Sequence, residues 1–209
     1  MWGKVFYMSP LLTRRSYTVK ILAAYNFTNI SLYCNDTLQF SVINEGETIV
    51  RTFTLQEYCA IHSNQIILVT QLSHGRDDDG VNGDPLMMLI PPKIHYTSKF
   101  SVSTIRNPTI DYQHFLNIIV LARYYHPHMI HLKSGSVNQS LDVFPWIPIK
   151  VNNITEAYVL QVNIPEGVAE VIHTDPTALM ATTVYGFGLY EGYGHAFDLG
   201  VPKSFISMF

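Results

Sequence analysis

Turn-forming residues punctuate this chain every eight to twelve positions, and the intervals between them are short and rich in β-branched and apolar side chains. That spacing leaves no room for long helices. No window of twelve or more residues keeps a 3.6-residue apolar period between caps. The segments Tyr17–Ala24, Ile30–Cys34, Leu38–Ile43, Ile66–Leu72 and Leu86–Ile90 read as strands, the last stopped by Pro91-Pro92. Asn44-Glu45-Gly46 carries a hairpin signal. Leu38, Phe40 and Val42 alternate with polar residues before it, and Ile49, Arg51, Phe53 and Leu55 share one face after it. The expected fold is all-β, an antiparallel β-sandwich with little helix.

The second half loosely echoes the first. Phe115–Ala122 resembles Tyr17–Ala24, Met129–Leu132 resembles Ile30–Cys34, and His173–Gly186 resembles His62–Ser73. Two similar β units in tandem are expected, residues 1–105 and 106–209, with Arg106-Asn107-Pro108 as the linker. The alternative is chance likeness between strands of similar composition.

Composition excludes several classes. With 47% apolar residues and a net charge of −3, the 209-residue chain forms a core and is not disordered. Its 13 basic residues are scattered and outnumbered by 16 acidic ones, which argues against nucleic acid. The largest basic patch, Arg14-Arg15, reads as a solvated loop pair. No run of 18 apolar residues exists to cross a membrane as a helix. The first fifteen residues are interrupted by Lys4 and Pro10 and do not read as a signal peptide. If the protein is secreted, its leader is expected outside this chain.

Glycosylation sequons supply the compartment signal. Asn26, Asn29, Asn35, Asn138 and Asn153 each begin an N-x-[ST] triplet, against about 1.7 expected by chance from this composition. Cys34 and Cys59 are the two cysteines. In an oxidising compartment they pair and close a loop of about 25 residues; the alternative is two free buried thiols.

Chemistry is sparse. The acidic loop between Ile66–Leu72 and Leu86–Ile90 holds Asp77, Asp78, Asp79 and Asp84. Asp77, Asp79 and Asp84 offer oxygens to Ca²⁺, but the spacing departs from an EF-hand and a solvated turn is the simpler reading. His126 and His128 form an H-x-H pair of the kind seen in cupin-like metal enzymes, although Pro127 interrupts the strand. No nucleophile elbow, P-loop or dinucleotide fingerprint is present, and no cofactor is expected. The Gly186–Gly194 segment alternates Tyr and Gly. Tyr190 and Tyr193 there offer amphipathic contact area, or else pack beneath their own loop.

Several blocks together resemble the N-terminal domain family of IgGFc-binding protein and its invertebrate relatives. The carriers are Ile67–Leu72, Gly83-Asp84-Pro85 running on to Pro91-Pro92, Phe115–Val120, and Thr183–Gly194. The chain departs from the family where His195-Ala196-Phe197 stand in place of Pro-Ala-Gly. The resemblance implies a secreted, non-enzymatic binding or adhesion module of a mucus-type or cell-surface glycoprotein. It also implies an extracellular protein or glycoprotein ligand and neighbouring domains in a larger chain. It does not transfer Fc binding, because no Fc-contact motif can be matched.

Overall fold

A computed structural model of the chain describes residues 1–35, 37–76, 80 and 82–196. It is all-β, and every strand pair is antiparallel. The first half builds one sheet from β1 (Trp2–Met8), β2 (Ser16–Ala23), β3 (Thr28–Cys34), β4 (Thr37–Ile43), β5 (Thr48–Thr54), β6 (Cys59–Ser73) and β7 (Met87–Leu89). The remaining strands build two. Strands β8 (Lys99–Ser103), β10 (Ile130–Ser134), β11 (Val137–Ser140) and β14 (Val168–His173) form a four-stranded sheet. Strands β9 (Gln113–Leu121), β12 (Ile147–Val151), β13 (Ile154–Ile164), β15 (Met180–Gly188) and β16 (Glu191–Ala196) form a five-stranded one.

The five-stranded sheet is the middle layer. Along β9 the even positions Leu116, Ile118 and Val120 pack into the core shared with β8, β10 and β14 of the four-stranded sheet. The odd positions Phe115, Ile119 and Leu121 pack into the cores shared with the seven-stranded sheet. A strand covered on both faces reads as a continuous apolar run rather than an alternating one. This is why FLNIIVL in β9 and MATTVYGFG in β15 lack alternation.

The seven-stranded sheet folds back over itself. Its spine is the 15-residue β6, which carries β3 and then β2 along one edge, and β1 and then β7 along the other. Extended, fifteen residues would span roughly 50 Å. Yet Tyr17, paired with Ser73 at the far end of β6, donates its hydroxyl proton to the carbonyl of Glu57 at 2.6 Å, just before β6 begins. The bend lies at residues 63–66. There β1 advances two residues, from Val5 to Gly3, while β6 advances from His62 to Ile67. Three bends align along this corner. Gly46 N–H donates to Ala23 O, Glu45 N–H to Asn26 Oδ1, Phe27 N–H to Asn44 Oδ1, and Asn29 N–H to Asn64 Oδ1.

The corner corrects one expectation. Asn44-Glu45-Gly46 is a turn, but not a hairpin loop. β4 pairs with β3 and β5 pairs with β2, so the paired strands bend together there. Gly46, at φ 77°, gives the bend its left-handed residue. The alternating residues Leu38, Phe40 and Val42 do share a face, but that face is exposed.

A polar network joins the middle sheet to the segment after β1. Asn117 Nδ2 donates to Ser9 Oγ at 2.8 Å and Pro10 O at 3.0 Å, and its Oδ1 accepts from Tyr185 Oη at 2.9 Å and from Gln161 Nε2 at 3.3 Å. Gln161 Nε2 also donates to Pro10 O, Tyr58 Oη donates to Gln161 Oε1, and Tyr185 Oη accepts from Leu12 N–H. Cys34 and Cys59, direct Cα partners in the β3–β6 ladder, are joined by a disulfide.

Candidate functional site

The two loops singled out in the sequence meet. One leaves the end of β6 and returns at β7. Its base is closed by Ser73 N–H donating to Leu86 O and by Leu86 N–H donating to Ser73 Oγ, both at 2.9 Å. His74 anchors the rising limb by sharing hydrogen bonds with Ser16 Oγ and Thr18 Oγ1. The other loop is the tight β15–β16 hairpin, in which Gly188 pairs with Glu191 across Leu189-Tyr190. The descending limb of the first loop lies against the hairpin. A Cβ on Gly192 would stand 2.5 Å from the carbonyl oxygen of Asp84, so glycine is what permits this approach.

Arginines stitch the contact. Arg14 is only 3% exposed; its guanidinium lies 3.9 Å from the Phe187 ring centroid and donates to Asn82 O at 2.9 Å. The solvated Arg14-Arg15 pair expected from the sequence is therefore corrected: Arg15 is exposed, but Arg14 is buried and ties the acidic loop to β15. At the rim, the Arg76 guanidinium lies 5.8 Å from the ring centroid of Tyr190 and donates to its hydroxyl at 3.4 Å.

Tyr190 and Tyr193 part company. Tyr190 sits at the tip with φ 58° and is 60% exposed. A non-glycine residue in the left-handed region is uncommon and is a reason to look for function. Tyr193 is 8% exposed and lies beneath the hairpin. Its ring crosses Gly186, where a Cβ would stand 2.4 Å from it, and its hydroxyl shares a 2.7 Å hydrogen bond with His114 Nδ1. Tyr112 packs edge-on to Tyr193 and donates to the carboxylate of Glu191. Burial first, then this acceptor, lifts the Tyr112 phenol to about 12.

Asp77, Asp78 and Asp79 lie outside the described residues. Of the three oxygen donors considered for Ca²⁺, Asp84 alone is described; it is exposed beside Gly83. His126 and His128 are exposed on the short 3-10 turn Pro127–Met129, with ring centroids 6.0 Å apart. Among the described residues, no group of three or more His, Cys, Asp or Glu is placed to hold a metal. Asn26, Asn29, Asn35, Asn138 and Asn153 are all exposed. No helix among the described residues is long and apolar enough to cross a membrane.

The imidazoles beneath the hairpin make it sensitive to acid. Burial holds His114 below the ordinary histidine range, against the opposing pull of Glu166 and Asp111, and burial also lowers His195. The folded chain therefore prefers these rings neutral, while the unfolded chain protonates them near the reference value of about 6.5. Their stabilisation is complete above that pH and is lost as the pH falls below it. Thermal melts at about pH 7.5 and about pH 5.5 are expected to show a lower midpoint in acid, with the difference reduced in His114→Gln. An equal or larger difference in that variant would assign the effect elsewhere.

The arrangement offers an exposed aromatic and a cation on a braced two-loop platform. Arg76 and Phe187 were not legible as partners of these loops, because the Arg76–Tyr190 contact joins residues 114 positions apart. A family model described as IgGFc binding protein matches residues 1–186. No curated protein and no solved structure matches the chain.

Proposed function

The chain belongs to the IgGFc-binding protein family, and from that premise we propose that it is an extracellular, non-enzymatic protein-binding module of a mucus-type or cell-surface glycoprotein. The observation that carries this reading is the convergence of the 74–86 loop and the β15–β16 hairpin into one surface, with Arg76 and Tyr190 at its rim. Tyrosine and arginine give much of the binding energy at protein interfaces, and loops held on a rigid scaffold are where recognition residues concentrate. Five exposed sequons and a disulfide fit an oxidising, secretory environment. The ligand is an extracellular protein or glycoprotein, and neighbouring domains of a larger secreted chain complete the molecule. A metal-dependent enzyme built on His126 and His128 has no third ligand among the described residues and is not carried further.

Binding of the chain to two probes, an IgG Fc fragment and a mucus glycoprotein fraction, tests the proposal. Arg76→Ala/Tyr190→Ala is expected to weaken the observed binding at least tenfold, about 1.4 kcal/mol, with little change in thermal stability because both side chains are exposed. Binding that survives the double substitution, or binding to neither probe, contradicts it.

A further inference from the structure

Strand β4 ends the seven-stranded sheet, and its outer edge pairs with no strand among the described residues. Its sequence, TLQFSVI, has no proline and no charge. Those are the devices that normally keep a sheet edge from recruiting another chain. Leu38, Phe40 and Val42 point from one face of it, and Phe40 is 61% exposed. A contiguous exposed apolar stripe of this kind is either covered or sticky.

The register says what stands beside it. Leu38 pairs with Tyr33, Phe40 with Ser31, and Val42 with Asn29. Paired residues in antiparallel strands project to the same face with Cβ atoms about 4.5–5.5 Å apart, so the sequon Asn29-Ile30-Ser31 opens directly beside Val42 and diagonally from Phe40. At the other end of the stripe, Leu38 and Tyr33 share a groove of about 140 Å³ with Lys150, Asn152 and Asn153. Asn153 opens the sequon Asn153-Ile154-Thr155. The stripe is thus bracketed by two exposed sequons contributed by different sheets.

We propose that the apolar stripe Leu38–Phe40–Val42 is covered by this chain's own N-linked glycans, carried by Asn29 beside Val42 and by Asn153 beside Leu38. The inference rests on the extracellular reading above, which supplies the secretory compartment. In the modification, the Asn amide nitrogen bonds the anomeric carbon of a lipid-linked oligosaccharide diphosphate. The anomeric C–O bond to the diphosphate breaks, the lipid diphosphate leaves, and one amide proton is released. A pyranose ring presents a C–H face that packs on Phe40 and Val42, and a rim of hydroxyls that faces water. The glycans therefore perform the edge protection that charge and proline provide in other sheets. A strand or second copy approaching this face would first meet two glycosylated asparagines.

The test leaves the asparagines in place, because Asn153 sits at φ 65°, where few residues are comfortable. The chain is secreted from cultured cells behind a heterologous leader, and site occupancy is read by mass spectrometry of its glycopeptides. Asn29 and Asn153 are expected to be occupied. Ser31→Ala/Thr155→Ala removes both sequons, and the secreted variant is expected to shift from monomer to oligomer in size-exclusion chromatography with light scattering. Adding Phe40→Ser is expected to restore the monomer, or to restore secretion where the double variant is retained in the cell. Occupancy at Asn138 without occupancy at Asn29 and Asn153 overturns the inference while leaving the extracellular reading intact. So does a double variant that stays monomeric, or one that Phe40→Ser does not rescue. If no sequon, Asn138 included, is modified, the extracellular reading fails and the inference falls with it.

Discussion

Cys34→Ala/Cys59→Ala is expected to lower the stability of the chain by about 3.5 kcal/mol, from the loop-closure entropy that a cross-link removes from the unfolded chain. The separation of 25 residues sets that magnitude. The two residues are direct Cα partners, 4.3 Å apart, close to the spacing of about 4.5 Å between non-hydrogen-bonded pairs in an antiparallel ladder. Both cysteines are buried where the start of β6 comes back to meet the β2 end of the rolled sheet, and Tyr17 Oη lies 3.8 Å from Cys59 Sγ. The bond therefore pins the end of the β3–β6 ladder at the seam of the roll. Urea titration with and without reductant measures the effect. The wild-type midpoint is expected to fall on reduction toward that of the alanine pair, which reductant leaves unchanged. A wild-type chain indifferent to reductant would contradict this account of the seam.

A loss of comparable size, roughly 3 kcal/mol, is expected from Asn117→Leu, which keeps the branched side-chain skeleton, removes its polar atoms and adds the bulk of two methyl groups. Asn117 is buried in the middle of β9 and uses both amide hydrogens and both carbonyl lone pairs. Pro10 O retains Gln161 as a donor after the substitution, but the Tyr185 hydroxyl loses its acceptor in the buried core. A buried polar group left unsatisfied costs about 1–3 kcal/mol, and loosening of the Ser9–Leu12 segment adds to it. Tyr185→Phe in the Asn117→Leu background removes the hydroxyl whose proton has lost its acceptor, together with the bond it accepts from Leu12 N–H. The double variant is expected to be less destabilised than the sum of the singles. Strict additivity in equilibrium denaturation would show that the network does not act as a unit.

Local chemistry made the β class readable, and it did so unevenly. Turn residues at regular intervals exposed β2 to β5, and the apolar run of β9 marked a strand by its likeness to β2, while its burial on both faces emerges only in the fold. The same run gave no sign of which sheets cover it, because that depends on pairings between distant residues. The strand β1 was hidden within a segment that Lys4 and Pro10 make look irregular, although Lys4 merely reaches the carbonyl of Asn64 at the sheet corner. At Asn44-Glu45-Gly46 the sequence marks a change of direction. Whether such a turn closes a hairpin or bends a ribbon is settled by which strand lies beside it. Alternation at Leu38, Phe40 and Val42 marks a shared face without saying whether anything covers it. In the candidate site, the glycines did carry information. Gly186 leaves room for the Tyr193 ring to cross it, and Gly192 lets the Asp84 limb lie against the hairpin. The contacts that join the loops, Arg14 with Phe187 and Arg76 with Tyr190, have no local signature.

Photocrosslinking reads out whether partners engage the chain at the joined loops. A photoreactive phenylalanine replaces Tyr190 in one sample and Val143, a highly exposed residue on neither loop, in another. Each is irradiated with the IgG Fc fragment and with the mucus glycoprotein fraction. Covalent protein adducts that disappear with Arg76→Ala are expected from position 190, and none above background from position 143. Equal adducts from both positions, or adducts from 143 alone, would contradict engagement at the joined loops.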